Sequence, residues 1–240
     1  MLKVELHAHS SLDPYDGIPH TTRQLIDRAA ALGYHALSVT CHNRYFDPAQ
    51  DAEYARERGI VLLPGVERTI RRAHLLLINF PAECQGVNSF DDAVALKQAF
   101  PRGLVIAPHP CYPTPSAMGV ATMDRYRGLF DAVEVSALYT RQFDFNRRAI
   151  AWGRANKKPL VGNSDVHSLA QLGTTYTLVD AAPDPDSICQ AIREGKIELR
   201  TQPLPTLLAA RHFGAMLVTG AVGVVRRTLH GDRHQQDPSQ

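Results

Sequence analysis

Short apolar runs alternate with amphipathic segments along residues 1–202. The apolar runs predict strands at Lys3–Leu6, Ala36–Thr40, Ile60–Val66, His74–Phe80, Leu104–Ala107, Ala132–Val135, Pro159–Val161 and Thr175–Asp180. The amphipathic segments predict helices at Thr22–Leu32, Asp47–Arg58, Ser89–Phe100, Met123–Phe130, Asn146–Asn156 and Pro185–Glu194. Such alternation is typical of strand–helix units around a parallel sheet or barrel. It predicts an α/β fold.

The number of strands favours a (β/α) barrel over an open, doubly wound sheet, which stays the alternative. No glycine-rich phosphate loop follows the first strand, as it does in dinucleotide-binding open sheets. The first helix has recognisable ends, because Thr21 and Thr22 offer a hydroxyl N-cap and Gly33 a C-terminal stop. We therefore assign residues 1–202 to one barrel domain.

A different pattern begins at Pro203 and predicts a C-terminal helical extension over residues 203–230, followed by a disordered tail over 231–240. The apolar stretch Phe213–Val225 is shorter than the roughly 20 residues that span a bilayer. We therefore predict no transmembrane segment. Residues 207–229 are expected to pack on the barrel or on a partner protein, with a membrane-surface contact as the alternative.

Composition and charge narrow the function only slightly. The formal net charge of +2 gives no reason to expect strong attraction to nucleic acid. The four cysteines are scattered without a CxxC pair, so they indicate neither a disulfide framework nor a cysteine zinc finger. Residues 1–6 lack the features of a secretory signal. We expect a cytoplasmic protein.

Metal-ligand residue types recur at the ends of the predicted strands. The segments are His7-Ala8-His9, Thr40-Cys41-His42, Val66-Glu67, Pro108-His109 and Asp165-Val166-His167. In (β/α) barrels the carboxyl ends of the strands meet at one face, so these residues should converge. A lone HxH is weak evidence, but its recurrence with other ligand types predicts a metal centre.

Two further residues complete the set less directly. His74 starts a predicted strand rather than ending one, and Asp16 competes with Asp13 for the role of loop ligand. Asp16-Gly17 is also an ordinary turn signal.

In this order the residues resemble the polymerase and histidinol phosphatase (PHP) domain family. The resemblance covers about residues 1–200 and rests on His7, His9, Asp16, His42, Glu67, His74, His109, Asp165 and His167. It implies a distorted (β/α)7, TIM-like barrel with two or three divalent metal ions, which could be zinc, manganese or iron. It departs from the family at Cys41, where an aspartate is common; a small buried residue is the simpler interpretation, and a soft metal ligand the alternative.

The resemblance also implies how the ligands are divided among the ions. Glu67 would bridge ions. One ion would be held by His7, His9, Glu67 and Asp165, a second by Glu67, His74 and His109, and a third by Asp16, His42 and His167.

Such a centre suits hydrolysis of a phosphate ester by a metal-bound hydroxide. We assign catalytic roles to His109, Asp165 and His167, and the leaving alkoxide could receive its proton from His109, His167 or a water. Arg141 follows the strand at 132–135 and is our candidate for binding the substrate phosphate, ahead of Arg68 and Arg71.

Two other functions stay open. An amidohydrolase cleaving a carbon–nitrogen bond shares the opening HxH, but the chain has no lysine ending a central strand and carries the late DxH. A non-catalytic, PHP-like scaffold is the second. For the enzyme we expect a small phosphorylated substrate, with a nucleotide or a short oligonucleotide as alternatives.

Overall fold

Ten short strands in two five-stranded sheets frame the part of the chain that the computed structural model describes, residues 1–215 and 218. The strands are β1 (Leu2–Glu5), β2 (Ala36–Ser38), β3 (Val61–Leu63), β4 (Gly65–Ile70), β5 (Ala73–Ile78), β6 (Leu104–Ala107), β7 (Ala132–Ser136), β8 (Leu160–Asn163), β9 (Thr175–Val179) and β10 (Ile197–Thr201). The fold is mixed α/β, as predicted.

The two sheets combine parallel and antiparallel pairs. The first has the order β10-β9-β1-β2-β3, with β1, β2 and β3 parallel and β9 antiparallel to both β1 and β10. The second has the order β4-β5-β6-β7-β8, with β6, β7 and β8 parallel and β5 antiparallel to both neighbours. Isolated bridges join the sheets, among them the parallel pairs Ala8–Val166 and His42–Glu67.

Six α-helices alternate with these strands over residues 1–202. They are α1 (Thr22–Ala31), α2 (Ala52–Arg56), α3 (Phe90–Ala99), α4 (Gly119–Arg125), α5 (Asn146–Ala155) and α6 (Pro185–Arg193), and short 3-10 helices occupy Pro48–Gln50, Ala82–Gly86 and Leu169–Gln171. Helix α1 begins at a capping box in which the Thr21 hydroxyl accepts from the amide of Gln24, and the Gln24 side chain accepts from the amide of Thr21. Gly33 follows α1 with a positive φ of 71°, as expected of a helix stop.

Several predicted elements differ from those observed. The predicted strand Ile60–Val66 is two strands, β3 and β4, because Pro64 between them has no amide to donate to a ladder. The predicted helix Asp47–Arg58 is a 3-10 turn and the short α2. Helix α4 begins four residues before the predicted Met123–Phe130 and ends at Arg125, since Gly128 opposes helix. Strand β10 is absent from the prediction.

The strict strand–helix alternation expected for a (β/α)7 barrel is also interrupted. Strands β4 and β5 form an antiparallel hairpin, and β9 and β10 form another. Over residues 1–215 the ladders form two sheets joined by single bridges, and they do not form one continuously hydrogen-bonded barrel.

The core lies on both sides of the strands. Leu6, Leu76 and Ile106 pack inside with other strand residues, while Phe80, Phe130 and their neighbours pack beneath α3, α4 and α5. Complete burial of these apolar side chains is the main source of stability. The rigid strand frame fixes the loops that follow each strand.

The C-terminal extension is described only in part. Residues 206–215 are helical, and residue 218 has helical backbone. The remainder of the predicted 203–230 extension and the whole predicted tail at 231–240 lie outside the described residues. Of the helices that are described, none has the length and apolar character needed to cross a membrane.

Candidate metal centre

The predicted ligands converge at one end of the strand frame. His7 and His9 follow β1, His42 follows β2, and Glu67 lies in β4. His109 follows β6, and Asp165 and His167 follow β8. His109 and Asp165 have positive φ values of 27° and 50°, a region that residues other than glycine seldom occupy. The frame holds these two side chains in place despite that cost.

His74 joins the cluster because its strand runs in the opposite direction. In the β4–β5 hairpin His74 pairs with Thr69, and Glu67 lies two residues from Thr69 on the same face. Because β5 runs antiparallel to β4, the beginning of β5 lies beside the end of β4. This explains how His74 reaches the cluster although it starts a strand instead of ending one.

Glu67 is the centre of the cluster. Its Oε2 lies 3.3 Å from His7 Nε2, 3.4 Å from His9 Nε2 and 3.2 Å from His42 Nε2. Its Oε1 lies 2.6 Å from His74 Nδ1 and 3.3 Å from His109 Nε2. One carboxylate therefore faces five imidazoles, with a different set at each oxygen.

Asp165 and Asp16 extend the cluster towards the protein surface. Asp165 Oδ1 lies 3.3 Å from His7 Nε2, 3.2 Å from His9 Nε2 and 3.4 Å from His167 Nδ1. Asp16 Oδ2 lies 2.9 Å from His167 Nε2 and 3.9 Å from His42 Nδ1. All nine predicted metal ligands are thus brought together.

Asp13 lies behind the histidines instead of among the outward-facing ligands. It is buried, and its Oδ2 lies 2.9 Å from Nδ1 of both His9 and His42. The amide of His42 donates to the same oxygen, and the amides of Tyr15 and Asp16 donate to Oδ1. A carboxylate that accepts from Nδ1–H leaves the Nε2 lone pair free for a metal. This geometry favours Asp16 over Asp13 as the loop ligand.

Two buried glutamates near the cluster were not singled out from the sequence. Glu134 Oε2 lies 2.8 Å from His7 Nδ1, and its Oε1 accepts from the amide of His109 at 3.1 Å. Glu5 accepts from the amides of His7 and Ser164, and burial raises its pKa to about 8. An acidic residue inside an otherwise apolar strand is the signal that could have revealed both.

The donor set fits metal ions. Three buried atoms at the centre have no hydrogen-bond partner within the described chain, namely His7 Nε2, Glu67 Oε2 and His74 Nδ1. Buried polar atoms are normally satisfied, so a group of orphans facing one another indicates a missing partner. Four triads of potential ligands lie here, and within each the ligand atoms are within 4.8 Å of one another. Three consist of predicted ligands, and the fourth joins His9 and His42 with Asp13.

Electrostatics keep the central carboxylates ionised. Burial alone would raise the pKa of Glu67, but the imidazoles of His74, His7 and His42 hold it well below its ordinary value. Burial opposes ionisation of Asp165 as well, yet His7 and His167 hold its pKa well below its usual range. Burial lowers the pKa of His74. Anionic carboxylates and a neutral imidazole are the forms that bind metal.

Comparison with known proteins supports the resemblance to the PHP family. A family model described as PHP-associated matches residues 143–197. A two-domain protein from Bacteroides vulgatus, described as containing a predicted PHP-like metal-dependent phosphoesterase, has the same fold with a TM-score of 0.62 and 21% identity. The match covers 90% of this chain and 69% of that one. The chain is therefore similar to PHP proteins in its fold and over residues 143–197.

Other proteins to which this chain is similar differ in size. The PolC-type DNA polymerase III of Staphylococcus saprophyticus is 33% identical over 84 residues, which are 34% of this chain and 6% of the polymerase. The chain therefore spans only about one-twentieth of the curated relatives it matches. The lesion-specific endonuclease Q of Pyrococcus furiosus shares the fold at 17% identity and a TM-score of 0.55, over 82% of this chain and 57% of that one.

The arginines expected to bind phosphate lie away from the metal centre. Arg141 lines a separate surface depression with Gln142 and Gln202. Arg68 is buried and donates to the carbonyl of Val87, so its role is structural. Arg71 lies in the β4–β5 turn. The structure brings none of these three side chains to the metal cluster.

Cys41 is a buried structural residue. It packs with Ala8 and Val39 in the apolar cluster beneath α1, and its Sγ lies 3.9 Å from Ser10 Oγ. Burial raises the pKa of the thiol. Cys41 is in none of the potential ligand triads found in residues 1–215, which supports the simpler of the two interpretations.

The centre opens into a small cavity of about 140 Å³. Seven of the predicted ligands line it: Asp16, His42, Glu67, His74, His109, Asp165 and His167. Tyr112, Leu138 and Phe213 complete its outer part. Among the described residues no lysine or arginine lines this cavity.

Proposed function

We propose that the protein is a metal-dependent phosphoesterase that hydrolyses a phosphate ester of a small molecule or nucleotide. The observation that carries the proposal is the position of Glu67, whose two oxygens face separate imidazole sets around atoms with no hydrogen-bond partner. A shared carboxylate of this kind suits two or more ions held close together. Mixed nitrogen and oxygen donors suit zinc, manganese or iron better than magnesium.

The ligand division implied by the family is adopted here. His7, His9, Glu67 and Asp165 would hold one ion, Glu67, His74 and His109 a second, and Asp16, His42 and His167 a third. When bound, such ions make water more acidic and neutralise charge on the phosphoryl oxygens. Asp13 and Glu134 would hold the Nδ1 protons of His9, His42 and His7, and so keep each Nε2 directed inward.

The catalytic roles assigned to His109, Asp165 and His167 stay part of the proposal. All three line the cavity, where a substrate phosphate would meet them. Asp165 would position His167 through its backbone carbonyl, which lies 3.0 Å from His167 Nδ1. His109 and His167 each present Nε2 to the cluster, and whichever of them does not hold an ion through that atom could pass a proton to the leaving alkoxide.

A small substrate is favoured over a polynucleotide. The cavity has the size of a single phosphoryl group with a few neighbouring atoms, and no described cation lines it. Binding of a polynucleotide rests on several phosphate contacts from lysine and arginine. The likeness to endonuclease Q keeps a short oligonucleotide as the alternative substrate. Arg141, at the neighbouring depression, stays a proposed phosphate contact for such longer substrates.

The fold proposal and the location go with the function. The bridges Ala8–Val166 and His42–Glu67 support a distorted (β/α)7 barrel in which the two sheets are halves of one wall. The cytoplasmic location predicted from the sequence is likewise part of the proposal. An amidohydrolase is less well supported, because no lysine lines the described cavity.

The test compares the metal content and activity of wild type with those of Glu67→Gln. Each protein is loaded with manganese, zinc or iron, dialysed, and measured by elemental analysis and by hydrolysis of p-nitrophenyl phosphate. We expect two or three ions per wild-type chain, and a loss of both metal and turnover in Glu67→Gln. Glu53→Gln is the matched control, since Glu53 is exposed on α2.

Either of two results would overturn the proposal. Trace metal in the folded wild type would leave a PHP-like scaffold. Full metal content without phosphatase turnover, together with hydrolysis of an amide substrate, would establish the amidohydrolase.

A further inference from the structure

An apolar cavity of about 310 Å³ adjoins the metal cavity. The two share part of their walls, namely Tyr112, Thr114, Leu138 and Phe213. Beyond these residues the apolar cavity is lined by Tyr139, Phe143 and Phe145, and by Ala209 and Ala210 of the 206–215 helix. A molecule bound at the metal centre could therefore continue directly into an aromatic-walled space.

The polar atoms of this wall already have partners inside the protein. The hydroxyl of Tyr112 donates to the carbonyl of Leu138 at 3.0 Å, and that of Tyr139 lies 2.9 Å from the hydroxyl of Thr201. The hydroxyl of Thr140 accepts from the amide of Phe143. Because these hydroxyls are already hydrogen-bonded, the wall offers a ligand its ring faces and methyl groups. It therefore selects a ligand by apolar contact instead of hydrogen bonding.

Three phenylalanines at this cavity are unusually exposed. Phe143 is 64% exposed, Phe213 51% and Phe145 41%. Exposed apolar side chains gathered around one concave surface commonly mark a binding site. Phe145 also lies against Tyr112, with ring centroids 5.6 Å apart, so the aromatic wall reaches from the surface to the metal cavity.

We propose that this apolar cavity, with its aromatic wall, binds the leaving group of the substrate, and that the substrate is a phosphate monoester of an apolar ring alcohol. The inference rests on the proposed function, because it places the phosphoryl group at the metal centre. No lysine or arginine lines either cavity within the described chain, so nothing there recognises a second phosphate. The ring packs between Phe143, Phe145 and Phe213, and its ester oxygen points towards the ligands.

The sharpest test compares two esters whose leaving alcohols have similar acidity, benzyl phosphate and ethyl phosphate. Their intrinsic reactivities are close, so the ratio of their kcat/KM values reports the contact with the ring. We expect the full-length, metal-loaded protein to favour the benzyl ester by roughly tenfold or more, as a hydrophobic pocket does for a few added carbons. Phe143→Ala and Phe145→Ala should each move the ratio towards one.

Phe100→Ala is the matched control. Phe100 is also a partly exposed phenylalanine, but it lies at the end of α3 and lines neither cavity. It should leave the benzyl-to-ethyl ratio unchanged. A wild-type ratio near one, or an equal fall of the ratio in Phe100→Ala and Phe143→Ala, would overturn the inference.

A binding measurement separates this inference from the proposed function. Benzylphosphonate and ethylphosphonate carry a carbon–phosphorus bond that a phosphoesterase does not hydrolyse, and calorimetry gives their affinities. Tighter binding of benzylphosphonate that is lost in Phe143→Ala supports the apolar subsite even if neither ester is hydrolysed. Hydrolysis of both esters at equal rates, with equal phosphonate affinities, keeps the phosphoesterase and rejects the subsite.

Discussion

Asp13→Asn is the substitution that most directly tests how the ligand histidines are held. Asp13 accepts from two imidazole Nδ1 atoms, at 2.9 Å each, and from the amide of His42 at 2.8 Å, all at Oδ2. Two further backbone amides, those of Tyr15 and Asp16, donate to Oδ1. Asparagine has nearly the same shape but only one oxygen, so it cannot accept from both sets.

The magnitude follows from which contacts are lost. If the amide oxygen replaces Oδ1, the amide NH₂ faces His9, His42 and the His42 amide. Each imidazole must then accept at Nδ1 and carry its proton on Nε2, which removes the lone pair that would bind metal. Loss of one such partner weakens metal binding about 10–100-fold. Because two imidazoles depend on Asp13, we expect roughly 100-fold, or about 2.7 kcal/mol.

Zinc affinity measured by competition with a chromogenic chelator is the assay, with circular dichroism as a check on folding. Asp184→Asn is the control, because Asp184 caps α6 and asparagine caps a helix equally well. If the Asp13→Asn protein is folded and binds zinc as tightly as both the wild type and the Asp184→Asn control, the reasoning is refuted. The loop carboxylate would then have no part in orienting the histidines.

Three other outcomes follow from the structure. Glu134→Gln should weaken zinc binding about 10-fold or more in the same assay, because it removes the acceptor for His7 Nδ1; unchanged affinity would contradict that role. Gly162→Ala should lower the free energy of unfolding in urea by about 1–3 kcal/mol, since its new methyl group would meet Leu199 Cδ1 at 2.6 Å. Gly128→Ala, which meets nothing within 4 Å, should change it little. A disulfide reagent near pH 8 should modify only Cys111 in the folded chain, since burial raises the pKa of two other thiols to about 12 and removes their reactive thiolate; rapid reaction of all four cysteines would show that the core is open.

Apolar periodicity was enough to locate most elements of the fold. Strand β6 and helix α5 lie where the pattern predicts them, because local burial decides both. Apolar periodicity does not show whether a strand runs parallel or antiparallel to its neighbour. The antiparallel β4–β5 hairpin depends on the turn at Arg71 and Arg72, which both adopt positive φ, and nothing in their residue type favours that conformation.

The metal ligands could be predicted because their chemistry is uncommon and their positions repeat. The residues that orient them could not, because a buried glutamate such as Glu134 resembles any charged strand residue until its partner, His7, is known. For Arg141 the end of a strand is a weaker guide. The loop places Arg141 in a depression with Gln142 and Gln202, and its contact with phosphate stays a prediction.

The cluster lies on the seam between the two sheets, and this has a mechanical consequence. His7, His9 and His42 come from the first sheet, whereas Glu67, His74 and His109 come from the second. Backbone pairing across the seam is limited to isolated bridges, to which hydrogen bonds such as Leu6 N–H to Asn163 Oδ1 and Gly162 N–H to Thr177 Oγ1 are added. Bound ions would be further cross-links between the two sheets. Ions that bind the folded chain and not the unfolded one stabilise the folded state, and tighter binding stabilises it more. Metal loading should therefore raise the free energy of unfolding of both sheets together.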